Sequence, residues 1–286
     1  MTNSPVKGMI ALLRLPYWLM TGGLSILTAF AIAPLALSFE TVLLIFFSMA
    51  LITSAGFSIN DYFDKESDAI IKPKRPIPSG SLTLKQVVFV SIILFAVGLG
   101  LAILISWLCL MILAIDSAVL LMYSMVVKRK SGFAANILVG LLVGTAFIYG
   151  EAALLQPMTF VSLTLYPIAF GTIGGNILRD VLSISGDAKV GYPTLPQRIG
   201  TKSSVRLAAF FFILTGALTP LPAILGFFGI QYLPLILTWS VLLFYSSIHL
   251  ITSDSTIENV RKFERLITMS MILLPLSLII EGLMLI

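Results

Sequence analysis

Asn60-Asp61-Tyr62-Phe63-Asp64-Lys65-Glu66-Ser67-Asp68 follows an apolar run, 39–59, long enough to cross a bilayer. It leads into Lys72-Pro73-Lys74-Arg75-Pro76-Ile77-Pro78-Ser79-Gly80. Four acids in nine residues stand hard against a membrane span. Charge is costly in lipid, so charge at that position points to function. If the helix continues through the stretch, Asn60, Asp64 and Asp68 recur at i, i+4 and i+8 and share one face. Oxygen-bearing side chains stacked in this way suit a hard divalent cation such as Mg²⁺, which keeps waters and a phosphate in its shell.

Composition sets the wider frame. The chain has 286 residues, 58% hydrophobic and 11% charged, against about 25% charged in a soluble domain. It reads as an integral membrane protein. One cysteine, Cys109, excludes a disulfide framework and a Cys-based zinc site. The lone His249, near a span end, reads as a packing or interfacial residue.

A span needs roughly 20 apolar residues. Nine runs meet that length, at about 16–37, 40–59, 86–105, 108–127, 133–154, 158–178, 204–227, 231–250 and 267–286. The third and fourth are nearly continuous, and the break is expected at Ser106-Trp107. The first run is too long for a signal peptide, although Ala29-Phe30-Ala31 has the look of a cleavage site. On this count every one of the 18 Lys and Arg residues falls on one side. Lys7 and Arg14 precede span 1, and Lys65, Lys72, Lys74, Arg75 and Lys85 lie between spans 2 and 3. Lys128, Arg129 and Lys130 follow span 4. Arg179, Lys189, Arg198, Lys202 and Arg206 follow span 6, and Arg261, Lys262 and Arg265 follow span 8. The positive-inside rule makes that side cytoplasmic, with the amino terminus inside. The partition also accounts for the net charge of +5 without nucleic acid. The expected architecture is all-α, nine transmembrane helices in one bundle around a central cavity, a single domain over residues 1–286.

A second acidic stretch, Asn176-Ile177-Leu178-Arg179-Asp180-Val181-Leu182-Ser183-Ile184-Ser185-Gly186-Asp187, follows span 6. Asp180 and Asp187 share a face if the helix persists through Gly186. A turn with Tyr192-Pro193-Thr194-Leu195-Pro196-Gln197-Arg198 comes next. Each acidic stretch ends an even-numbered span, four spans apart. A weak internal repeat of four helices, about 15–130 and 131–265, is therefore a further expectation. Two clusters at one membrane face can hold Mg²⁺ and a diphosphate between them. Lys72, Lys74, Arg75, Lys128, Arg179 and Arg198 are candidate partners for phosphate oxygens. Glu66, Asp254, Glu258 and Glu264 read as solvated loop acids, and Arg129 and Lys130 as topology signals. Phe57, Tyr123, Phe147 and Tyr149 are expected to line the cavity, with Asp116 facing it seven residues before Tyr123.

The spacing Asn60-Asp61-x-x-Asp64-x-x-x-Asp68, followed by Arg75-Pro76-Ile77-Pro78-Ser79-Gly80, resembles the first signature of the UbiA superfamily of intramembrane prenyltransferases. Asp180…Gly186-Asp187 with Gly191-x-x-Thr194-Leu195-Pro196 is similar to the second. The resemblance covers essentially the whole chain and implies transfer of a polyprenyl group from its diphosphate to an acceptor, with Mg²⁺. It implies metal and diphosphate positions at Asn60, Asp61, Asp64, Asp68, Asp180 and Asp187, and places the family's Tyr and basic residue at Tyr123 and Lys128. Two features depart from the pattern. Ser183 stands where the second motif commonly has an acid, and the Tyr-to-Lys spacing is one residue longer than in aromatic-acceptor members. The wording of both motifs most resembles the archaeal branch that prenylates geranylgeranylglyceryl phosphate. A 4-hydroxybenzoate type of aromatic acceptor is the alternative.

In such a site, cations stabilise the negative charge that grows on the departing diphosphate. A dry pocket shields the carbocation-like prenyl group, and aromatic faces attract it. Three rivals rank lower. A cation-coupled transporter places its acids near the midplane of broken helices, not at one face. A CDP-alcohol phosphatidyltransferase needs an Asp-Gly-x-x-Ala-Arg pattern that is missing. A scaffold has no use for two matched acidic motifs.

Overall fold

The computed structural model describes residues 4–154 and 156–286, all helix and connecting turns, with no strand among them. Nine helices in the described residues are long and apolar enough to cross a membrane: α1 (Pro5–Ile32), α2 (Phe39–Phe63), α3 (Leu84–Ile105), α4 (Trp107–Lys130), α5 (Gly132–Ala152), α6 (Val161–Lys189), α7 (Thr201–Ile224), α8 (Ile230–Thr252) and α9 (Ile257–Leu283). Over its described residues the protein is all-α, with nine helices able to span a membrane.

Small polar residues start several of these helices by accepting an otherwise orphaned amide. Ser38 accepts from Thr41 at α2, Ser106 from Cys109 at α4, and Ser131 from Ala134 at α5. Thr83 and Gln86 form a capping box at α3. The break between α3 and α4 falls at Ser106, where the backbone is extended. Within the spans, hydroxyls of Ser25, Thr28, Ser48, Ser91 and Ser117 donate to carbonyls one turn back. These bonds satisfy hydroxyls that lipid could not.

Four helices differ from their expected limits. α1 and α9 both begin near ten residues earlier than the apolar runs do. The added turns of α9 carry their polar and charged side chains on one face, so hydropathy misses them, whereas the added turns of α1 are largely apolar and are set off from the first run by Arg14 and Pro16. α6 runs on to Lys189, through Gly186, and keeps Asp180 and Asp187 on one helix. α2, by contrast, stops at Phe63; Asp64 is a turn residue, and a separate short helix, Lys65–Ile71, follows. The helix is broken at Asp64, but the expected shared face survives: the amides of Asp64 and Asp68 still bond to the carbonyls of Asn60 and Asp64, and all three side chains line one cavity.

Two apolar cores hold the bundle. One joins α1 to α5 through Ile45, Met49, Ile52, Leu113 and Tyr149, and the other joins α5 to α9 through Phe147, Ile177, Phe212, Trp239 and Leu278. α1 and α5 approach closely because Gly150 has no Cβ: one placed there would lie 2.2 Å from the Ser25 carbonyl oxygen. In lipid such close approach, not hydrophobic exclusion, drives helix association. Phe89, Leu104, Trp107, Ile115 and Val241 point outward, where lipid is the solvent. α1, α2, α4, α5 and α6 surround a cavity, and α3, α7 and α8 pack outside them.

Candidate active site

The cavity holds about 530 Å³. Its deep part is largely apolar, lined by Met20, Met49, Ile52, Leu120, Leu142 and Val143, and its mouth is polar. Asn60, Asp64 and Asp68 line that mouth from one side, and Asp180, Ser183 and Asp187 from α6. The two acidic clusters, 112 or more residues apart in the chain, thus open onto one space.

The first cluster is tied down by cations and hydroxyls. The Asn60 Nδ2 donates to Asp64 Oδ2 at 2.9 Å, and the Lys128 ammonium pairs with the same oxygen. The Tyr192 hydroxyl donates to Asp64 Oδ1 at 2.7 Å. Arg75 donates to Asp68 Oδ2 at 2.5 Å. Asn60 Oδ1 is buried with no hydrogen-bond partner among the described residues. Asp61 is placed apart from this group. It does not line the cavity; its Oδ1 accepts from Arg14 at 2.5 Å and from Arg75 at 2.9 Å.

The second cluster is held by neutral donors. Asn136 on α5 donates to Asp180 Oδ2 at 2.8 Å, and Ser183 donates to Asp187 Oδ2 at 2.6 Å. Ser183, standing at the unexpected position, is a donor to the acid one turn beyond it. Arg179 lines the cavity, donates to Asn176 Oδ1 at 2.6 Å and lies 3.8 Å from Glu264.

Tyr123 and Lys128 both line the cavity. The extra residue between them is taken up by a π-helical turn, Tyr123–Val127, a one-residue insertion that often marks functional helices. Asp116 also faces the cavity and accepts from Thr145 at 2.6 Å. It lies twelve residues before Lys128, about 18 Å along the helix, well below the acidic mouth. Phe57 lines the cavity as expected, but Phe147 and Tyr149 do not. Both are fully buried in helix packing, and the Tyr149 hydroxyl is bonded to Ser48 at 2.6 Å.

The remaining basic candidates separate. Lys72 lines the cavity; Lys74 lies in a neighbouring pocket, and Arg198 donates to the Lys130 carbonyl at 2.9 Å, away from both. Lys72 keeps an exposed side chain, yet partial loss of solvent and the like charge of Arg75 push its ammonium below the ordinary lysine value. Burial likewise pushes the Tyr192 hydroxyl up, so it stays a neutral donor to Asp64. His249 stacks on Phe263 at 5.3 Å, as a packing residue does.

Three site residues were not singled out by spacing. Arg14 looks like a topology charge, and Asn136 and Tyr192 belong to no acidic run. The available signal was an Asn inside an apolar span and a Tyr within the turn after span 6.

The donor set fits Mg²⁺. Every cavity-facing ligand candidate at the mouth is an oxygen of Asn or Asp, with Asn60 Oδ1 unpartnered. Among the described residues no three acidic, His or Cys side chains converge on one point. Each cluster can offer an ion one or two carboxylates, leaving water and phosphate to complete the shell.

A family model described as the UbiA prenyltransferase family matches residues 22–272. A digeranylgeranylglyceryl phosphate synthase of Natronomonas pharaonis is 38% identical over 232 residues, 80% of this chain and 82% of that protein. One of Methanopyrus kandleri is 38% identical over 200 residues, 70% of this chain and 73% of that protein. A solved structure from work on digeranylgeranylglyceryl phosphate synthase in membranes has a TM-score of 0.84 at 29% identity, covering 98% of this chain and 99% of that one. A homologue from Archaeoglobus fulgidus, solved with GPP and Mg²⁺, has a TM-score of 0.73 at 19% identity, covering 95% of this chain and 99% of that one; it speaks to the fold.

Proposed function

This chain belongs to the UbiA prenyltransferase family, and from that premise we propose that it transfers a geranylgeranyl group from its diphosphate to geranylgeranylglyceryl phosphate. The observation that carries the reading is the convergence of two oxygen-rich clusters on the mouth of an apolar cavity. Curated relatives named for this product, at 33–38% identity, support the choice of acceptor.

Asn60, Asp64, Asp68, Asp180 and Asp187 would hold Mg²⁺, the assignment of Asp61 being weakened by its two arginine partners. Bound Mg²⁺ supplies positive charge to the oxygens of the leaving diphosphate. Lys128, Arg75 and Arg179 stand at the same mouth and add charge there; Lys72 stands at its edge. The allylic C–O bond breaks, and its electron pair leaves with the diphosphate. The acceptor hydroxyl oxygen forms the new C–O bond to the prenyl carbon and gives up its proton to the departing diphosphate. Tyr123 presents an aromatic face to the cationic carbon. The apolar depth takes the prenyl chain and excludes water. Asn136, Ser183 and Tyr192 orient carboxylates and do not react.

The 18 basic residues lie at the loop end that carries the site. This supports an amino terminus inside and an active site at the cytoplasmic face of the cell membrane.

The test is competition. Purified protein receives Mg²⁺ and labelled geranylgeranyl diphosphate, with geranylgeranylglyceryl phosphate and 4-hydroxybenzoate together. The ether lipid is expected as the main product. Predominant prenylation of the aromatic ring would place the chain in the other branch.

A further inference from the structure

Beside the main cavity lies a second, more open pocket of about 440 Å³. Four cations line it, Arg14, Lys72, Lys74 and Arg75, against one carboxylate, Asp61. It shares Arg14, Tyr17, Lys72 and Arg75 with the main cavity, so occupants of the two would be neighbours. We propose that this pocket binds the phosphate of the acceptor lipid, while the main cavity takes the donor diphosphate. The proposal rests on the acceptor reading above and deepens it.

The charge balance comes first. Asp61 is already engaged by both arginines, and Arg75 is also held by Asp68. The Lys72 and Lys74 ammonium groups have no ion pair or side-chain hydrogen bond among the described residues. A surplus of positive charge so arranged suits a phosphomonoester dianion held by direct charge-assisted hydrogen bonds. It does not suit a metal-bridged diphosphate, because its only carboxylate is spoken for. The oxygen ligands all face the other space.

Arg14 is built for such a role. Its backbone is left-handed, φ 50° and ψ 51°, between the helical segment ending at Leu13 and the one opening at Pro16. A residue with a side chain rarely adopts that conformation, and its presence marks a site the surrounding structure over-determines. The guanidinium sits 4.4 Å from the Phe57 ring centroid and pairs with Asp61. It is therefore fixed before any ligand arrives. Next to it α1 exposes Ile10, Leu15 and Tyr17. This apolar strip lets a lipid keep its chain in the bilayer with its headgroup in the pocket.

The same chemistry could come from a bulk lipid phosphomonoester, so the test separates the two sources. Acceptor binding is measured by calorimetry on the full chain in nanodiscs, for wild type and for Lys72→Gln/Lys74→Gln, whose side chains are exposed and unpaired. Probes are geranylgeranylglyceryl phosphate, geranylgeranylglycerol without phosphate, and phosphatidic acid. The double variant is expected to weaken the phosphorylated acceptor tenfold or more and leave the phosphate-free one unchanged. The KM for geranylgeranyl diphosphate should rise by a clearly smaller factor. Arg14→Lys, which keeps charge but loses the fork, should weaken the acceptor as well. Unchanged acceptor affinity with a raised donor KM would assign these cations to the donor and overturn the proposal. Phosphatidic acid binding as tightly as the acceptor would make the pocket a bulk-lipid anchor and also overturn it. If wild type itself binds no geranylgeranylglyceryl phosphate and prenylates an aromatic acid, the underlying acceptor reading fails instead.

Discussion

Ser183 shows how one hydroxyl serves where an acid is expected. It donates to Asp187 Oδ2 at 2.6 Å and holds that carboxylate toward the cavity. A hydrogen bond to a charged group contributes about 1.5–3 kcal/mol, and 1.4 kcal/mol is a factor of ten. The bond is exposed and the same hydroxyl also reaches the Arg179 carbonyl at 2.9 Å, so Ser183→Ala should lower kcat/KM by at most about tenfold at fixed Mg²⁺, with the fold intact by circular dichroism. Wild-type kinetics in the variant would show that Ser183 does not position the acid. At this scale the acids were legible because helical spacing and membrane position both marked them. Arg14, Asn136 and Tyr192 were not, since each acts through a partner far away in sequence: Asp61, Asp180 and Asp64. Phe147 and Tyr149 were misplaced because a span's pattern does not tell a cavity face from a packing face when both are apolar.

At the scale of the element, the π turn Tyr123–Val127 reconciles a longer Tyr-to-Lys spacing with two side chains that both reach the cavity. Deleting the lipid-facing Met125 (51% exposed) should convert that turn to α-helix and keep Tyr123 and Lys128 directed inward. Deleting Ala118, in regular helix, should rotate Asp116 by roughly 100° relative to Tyr123 and break the packing between. The expected outcome is a folded protein by thermal melting in the first case and a strongly destabilised one in the second. Equal melting of both would deny the turn its compensating role. Helix ends were the least legible feature of the sequence. The opening turns of α9 mix charge with apolar residues and read as loop, and those of α1 are set off from the first apolar run by Arg14 and Pro16. The break at Asp64 left no sequence mark, because the residues around it are all compatible with helix.

Over the whole molecule, the nine spans found among the described residues followed from length and composition. Packing between spans did not, because lipid-facing and helix-facing apolar residues look alike in sequence. Gly150 is one such contact: Gly150→Ala should cost about 1–3 kcal/mol of stability by overpacking against Ser25. Gly23→Ala, with nothing within 4 Å of the added atom, should be neutral in the same melting assay. For topology, the one native thiol, Cys109, is fully buried and gives little background. A cysteine introduced at Ser81 should react with an impermeant maleimide only from the cytoplasmic side; labelling in intact cells would invert the arrangement. The central claim is that the two acidic clusters act together, through Mg²⁺, on a prenyl diphosphate. Its most direct test is release of diphosphate and formation of labelled product from geranylgeranyl diphosphate by wild type, Asp64→Asn and Asp187→Asn, each with Mg²⁺ and with excess chelator. The account predicts turnover only by wild type with Mg²⁺, and a loss of at least a hundredfold in either variant; full-rate turnover in chelator, or by both variants, would contradict it.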